Sequence, residues 1–302
     1  MLKCTKKINA MTKYFYLFIF LFNATIIFSQ PNTEVYLFDL ITSETGLELT
    51  NMINVSNNPG YDNQPSFIYE DILLFAGNND GQTDIAQYNI ETKIRSWLNT
   101  QTEGGEYSPQ KLPSGDDVAA VRLDLDGLQR LYTYNSSNEN PIMVIDGLAV
   151  AYFLFYNNNI LISAVLGDGT LDLVISNLKE KTNDTLLLDV GRSIHKVPFK
   201  KSISYTAINE EKNHDLYIID IDENLESYFV CQLPIGIQDY TWLNETQIII
   251  GSKNKLYVYD TLDIQEWKEV ASLEDYQIAN ITRLAVSPKG TKLAVVGEPL
   301  TK

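Results

Sequence analysis

Beyond its first thirty residues the sequence carries two histidines, His195 and His214, and one cysteine, Cys231. Few reactions can be built on that inventory. Two imidazoles exclude a metal centre made of several, no His-Glu-x-x-His pair occurs, and no Gly-x-Ser-x-Gly elbow presents a nucleophilic serine. His195 lies in Arg192-Ser-Ile-His-Lys-Val-Pro198, at the expected start of a strand, where a single polar histidine reads as a hydrogen-bonded loop residue before it reads as a base. His214, in Glu211-Lys-Asn-His-Asp215, reads as a solvated hairpin tip. The turn Asn78-Asn-Asp-Gly-Gln-Thr-Asp84 and the run Asp124-Leu-Asp-Gly127 invite calcium, yet neither has the ligand spacing or closing glutamate of an EF-hand loop. The same residue types are what tight turns require. Cys231, within Tyr228-Phe-Val-Cys, reads as a small buried apolar group. These residues imply no cofactor; a divalent cation is left open only where acids from several elements meet around a channel.

Charge and the leader narrow the setting. The 302 residues hold 39 Asp plus Glu against 23 Lys plus Arg, a net charge of −16. Lys3, Lys6, Lys7 and Lys13 precede the apolar stretch Tyr14 to Phe28, and Ser29 follows it, the pattern of a secretory signal peptide over residues 1–29. An apolar core this short falls below the roughly 20 residues of a spanning helix, so no integral membrane anchor is expected after cleavage. Export to the periplasm or the outside follows. Loss of the leader takes four lysines and Cys4, leaving 19 basic residues against the same 39 acids and no intramolecular disulfide. Such a surface repels phosphate backbones, which speaks against nucleic acid as a partner.

The elements that must position any site come from a repeat. An alternating apolar strand ending in Asp or Asn recurs six times, ending at Asp39, Asn89, Asn135, Asn177, Asp220 and Asp260, at intervals of 50, 46, 42, 43 and 40 residues. A continuous apolar run lies near each, as in Ile72 to Ala76, Ile160 to Ala164 and Leu293 to Val296, and reads as a strand buried on both faces. Asn79-Asp-Gly81, Asp126-Gly127 and Gly167-Asp-Gly169 supply hairpin turns between the two runs. Further strands flank each pair, so residues 30–302 are expected to form an all-β, six-bladed β-propeller of four-stranded antiparallel blades. The chain ends on two strands, Ile281 to Val286 and Leu293 to Val296, and begins on two, Val35 to Leu40 and Leu47 to Met52. Pairing these N- and C-terminal half-blades closes the ring and removes its open edges; a five-bladed ring with two unpaired hairpins is the alternative.

Asn58-Pro-Gly-Tyr-Asp-Asn-Gln-Pro-Ser-Phe67 followed by Ile72 to Asp84 resembles a blade of the TolB-like propellers, with WD40-like repeats of the pattern Pro-x-Phe/Trp, apolar strand, Asp-Gly-x-x-Asp. Glu106-Tyr-Ser-Pro109 and Ser287-Pro-Lys-Gly-Thr291 are similar to further copies, and the motif fades between residues 148 and 275. The resemblance implies an exported propeller used for protein contacts, here without the domain that precedes the propeller in TolB.

Entry loops of the innermost strands should meet at one channel mouth. That would gather Tyr61, Asp62, Gln64, Glu106, Tyr107, His195, Lys196, Asp239, Tyr240, Asn280 and Arg283. Tyrosine beside acids and amides is the mixture found where a peptide or sugar edge docks. The alternative is that these groups only solvate loops and plug the channel with hydrogen bonds. The leading expectation is a non-enzymatic module binding a protein of the cell envelope, with Asp62, Glu106 and Asp239 as replaceable surface acids; the other is a small-molecule or carbohydrate-processing propeller with carboxylates at the mouth.

Overall fold

The computed structural model describes residues 31–300, apart from 44–45, 99–101, 136, 138–139, 223 and 264–265. The signal peptide read over 1–29 lies outside the described residues. Those described form strands and turns only, in six four-stranded antiparallel sheets. Blade I holds β3 (Asn63–Phe67), β4 (Ile72–Asn79), β5 (Gln82–Asn89) and β6 (Ile94–Trp97). Blade II holds β7 (Gly105–Lys111), β8 (Val118–Leu123), β9 (Gln129–Tyr134) and β10 (Ile142–Met143). Blade III runs from β11 (Val150–Phe155) through β12 (Ile160–Leu166) and β13 (Leu171–Asn177) to β14 (Thr182–Leu187). Blade IV is β15 (Val190–Lys196), β16 (Ser202–Ile208), β17 (His214–Asp220) and β18 (Ser227–Gln232). Blade V is β19 (Thr241–Trp242), β20 (Gln247–Ser252), β21 (Lys255–Asp260) and β22 (Lys268–Ser272). Blade VI takes β23 (Ile278–Val286) and β24 (Lys292–Pro299) from the end of the chain, and β1 (Glu34–Ser43) and β2 (Gly46–Asn54) from its start.

Ring closure rests on the β1–β24 ladder, in register from Glu34 opposite Gly297 to Asp39 opposite Lys292. Lys292 and Asp39 also form an ion pair. Glu70, in the turn after β3, ties the closed blade to blade I by accepting hydrogen bonds from Ser287 Oγ at 2.8 Å, the Lys289 amide at 2.9 Å and Thr291 Oγ1.

The apolar runs are continuous because each second strand faces two neighbours. In β4, Leu73 and Phe75 pack with Val35, Leu37 and Val296 of blade VI, while Leu74 packs with Val118 and Ala120 of blade II. In β20, Ile248 and Ile250 join Leu216 and Trp242 on the blade IV side, and Ile249 joins Leu293 and Phe38 on the blade VI side. Alternation with a period of two thus serves two interfaces at once. The core is a ring of apolar wedges between blades. The recurrent Asp or Asn has a local cause as well: the Oδ1 atoms of Asn89, Asn135, Asn177 and Asp260 accept amide hydrogen bonds two or three residues on, closing the turn into the fourth strand.

Candidate functional site

The innermost strands carry bulges, and the bulges decide which side chains reach the channel. Against its partner, the innermost strand gains one residue between Asn63 and Ser66 and between Tyr107 and Gln110, and two between Val190 and Ile194 and between Ala279 and Arg283. Gln64 and Ser108 sit in the first two at φ of 56° and 52°, and Asn280 in the last at 45°. A bulge twists its strand and re-aims the residues beside it. Adjacent bulges are joined, with the Ser108 amide donating to Gln64 Oε1 at 2.8 Å.

Arg192 and Arg283 leave the longer bulges of blades IV and VI and converge on Asp239 of blade V. Asp239 Oδ1 accepts from Arg283 Nη1 at 2.5 Å and from Ser193 Oγ at 2.8 Å, and its Oδ2 accepts from Arg192 Nη2. Arg283 also lies 5.3 Å from the Tyr152 ring centroid, and Tyr61 and Tyr107 pack with centroids 6.2 Å apart. Burial pushes the Tyr61 hydroxyl up to about 12. His195 packs edge-on to Tyr240 at 4.8 Å, and burial takes its pKa down to about 4, so it is neutral at pH 7. Tyr240 itself is buried, its hydroxyl donating to Ser204 Oγ at 2.7 Å.

The ion cluster separates two cavities. A small one of about 90 Å³ lies beside Gly236, Gln238 and Thr282, towards the strand starts. The larger, about 680 Å³, is bounded by all six blades and runs from Arg192, Asp239 and Arg283 to the far ends of the innermost strands. There its rim is exposed: Lys196, Pro288, Lys289 and Phe199, the last 92% accessible. The channel is therefore stoppered at the end where the strands begin and open where they finish.

Of the residues expected at the mouth, Gln64, His195, Lys196, Asp239, Tyr240 and Arg283 line the large cavity. Tyr61 and Tyr107 pack at the stoppered end. Asn280 is exposed outside both cavities, with its amide on Glu298 at 2.9 Å. Asp62 and Glu106 lie inside the blades and not at an accessible mouth: both are 0% exposed, and Asp239 is 9%, so none is the replaceable surface acid that the sequence suggested. Asp62 Oδ1 accepts the Asn78 amide at 3.0 Å, its Oδ2 has no partner, and burial with Glu34 nearby pushes it up to about 7. Glu106 accepts from Thr102 Oγ1 and, at 3.4 Å, from the Tyr134 hydroxyl; burial, aided by Asp84, pushes it up to about 8. These acids brace blades from within. A signal for that was present, since Asp62 and Glu106 each stand three residues before a proline at matching places in successive blades.

Sequence reasoning passed over Arg192, Tyr152, Lys111, Phe199 and Lys289 as site residues, although Arg192, Asp239 and Arg283 are spaced 47 and 44 residues apart, one blade each. Among the described residues no three His, Cys, Asp or Glu side chains converge as a metal site, and no helix is long and apolar enough to cross a membrane.

The chain is thus a six-bladed propeller of TolB-like fold, closed by its own termini and holding a one-ended channel. Among solved structures it is similar to a putative TolB from Agrobacterium tumefaciens, at 12% identity and a TM-score of 0.65, covering 88% of this chain and 98% of that one. It is also similar to TolB from Acinetobacter baumannii, at 10% identity and a TM-score of 0.55, covering 88% of this chain and 64% of that one. An oligogalacturonate lyase from Vibrio parahaemolyticus shares the fold at 12% identity and a TM-score of 0.54, covering 84% and 83%. No protein-family model and no curated protein matches the sequence.

Proposed function

We propose that the protein is an exported, non-enzymatic binding module that docks a protein of the cell envelope at the open end of its channel. The observation that carries this reading is the cavity of about 680 Å³, walled by all six blades, shut at one end and rimmed at the other by the exposed side chains of Lys196, Phe199 and Lys289. Its size suits an inserted chain segment or small ligand, not a folded domain. Phe199 is the rim's apolar anchor. The likeness to TolB propellers supports protein contact, and the lone neutral histidine beside a neutralised acid offers no nucleophile, base and orienting group in sequence.

Site-specific photo-crosslinking in envelope extract tests this. A photoreactive residue in place of Phe199 is expected to capture one partner that the same residue in place of Ile94, 60% exposed on an outer strand, does not. Capture from position 94 alone, or of identical material from both, would remove the channel mouth as the docking site.

A further inference from the structure

The channel is positive within a strongly negative protein. Five residues that line it are cationic, Lys111, Arg192, Lys196, Arg283 and Lys289, and one is anionic, Asp239, whereas the whole chain carries −16. Cations gathered in one concavity focus a field that the rest of the surface opposes. Internal pairing accounts for only part of them. Lys111 is taken up by the Tyr69 hydroxyl at 2.8 Å and lies 4.0 Å from Asp116. At the floor, one carboxylate between two guanidiniums leaves a positive charge in excess, and Arg192 Nε is buried without a hydrogen-bond partner. At the rim, Lys196 is exposed, and none of the ion pairs among the described residues takes it up. Lys289 faces Glu70, but that carboxylate already accepts from Ser287, Thr291 and the Lys289 amide. Between floor and rim the wall is mixed, with the apolar groups of Leu154 and Val286 beside the polar groups of Gln64, Gln110 and His195.

We infer that the channel receives an extended acidic peptide segment, its leading carboxylate at Arg192 and Arg283 and its following residues passing Phe199 between Lys196 and Lys289. This rests on the channel-docking reading above. An extended peptide suits this mixed wall, because it brings side chains that pack on the apolar groups and backbone amides that meet the polar ones, where a sugar chain leaves Leu154, Val286 and the exposed Phe199 without apolar partners. Charge at both levels orders the segment and speeds its capture.

The test uses the full chain and fluorescence anisotropy with four probes. Three are labelled hexapeptides of leucine alternating with glutamate, glutamine or lysine; the fourth is a labelled galacturonate oligomer. The glutamate peptide is expected to bind, the lysine peptide not, and binding to weaken about tenfold in Lys196→Glu plus Lys289→Glu and again on raising salt from about 0.05 to about 0.5 M. Lys289 faces Glu70, so the single Lys196→Glu variant, exposed and outside that contact, is the fold control: its melting temperature should match the parent while its binding of the glutamate peptide weakens. Equal binding of the glutamate and glutamine peptides, preference for the galacturonate oligomer, or no binding of any probe overturns the inference. A Phe199→Cys variant that also carries Cys4→Ser, labelled with a bulky maleimide, separates this from the wider reading, because the remaining native Cys231 is buried and its thiol pushed up to about 12. Charge-blind peptide binding that the plug abolishes leaves channel docking standing and fells only the acidic preference. Binding that survives the plug removes both.

Discussion

At the scale of single residues, the acids divide by whether water reaches them. A lysine in place of Asp62 or Glu106 would put an unpaired charge at a position that is 0% exposed, and the expected loss is about 3–5 kcal/mol. Urea denaturation measures it, and an unchanged midpoint would return these acids to the surface. Glu106 also sets a pH dependence. Its folded pKa, about 8 against an ordinary 4.5, lies above the unfolded value, so folding favours the protonated form. That contribution is full below about 4.5 and is lost as pH rises through about 8. Glu106→Gln cannot titrate, so its stability relative to the parent should climb between pH 5 and 9 by about 2 kcal/mol or more, visible in paired thermal melts. A constant difference across that range would show that Glu106 is ionised throughout. Asp239 answers differently, because it is paired rather than isolated. Asp239→Asn leaves two guanidiniums facing one another and should cost about 2–4 kcal/mol by the same urea measurement; a neutral result would mean that Arg192 and Arg283 find other partners.

At the scale of elements, blades meet closely enough for one methyl group to matter. A Cβ on Gly251 of β20 would stand 2.1 Å from Ile281 Cγ2 of β23, across the joint between blades V and VI. Gly251→Ala is therefore expected to destabilise by about 1–3 kcal/mol, and pairing it with Ile281→Ala should recover part of that loss in a double-mutant cycle. Strict additivity would show that the two strands stand further apart. The strands themselves were readable from sequence. Runs such as Ile72 to Ala76 are apolar throughout because both faces pack, and the recurrent Asp or Asn mostly closes a turn with its own side chain at the end of the third strand, whereas in blade VI β1 runs past Asp39 to Ser43. The bulges were not readable. Gln64, Ser108 and Asn280 adopt positive φ without being glycine, so their residue types give no warning of the kink.

At the scale of the molecule, the ring depends on a ladder between residues more than 250 positions apart, Asp39 opposite Lys292 among them. Deleting residues 31–54 would strip β1 and β2 from blade VI and expose the edge of β24. The expected product is aggregated or unfolded in size-exclusion chromatography, and a cooperative monomeric melt from it would mean that the remaining blades close without it. Composition and period sufficed for the architecture: an acidic all-β chain, six units, termini sharing a blade. Those properties are local, since a strand's burial pattern and a turn's residues are written in adjacent positions. The direction of the channel, its stopper of Arg192, Asp239 and Arg283, its cationic rim, and the interior placement of Asp62 and Glu106 were settled only by the folded ring. Each depends on which side chains from separate blades face one another across a distance that sequence spacing does not encode, and on a bulge that turns a residue from the channel to the blade interface by one position of slip.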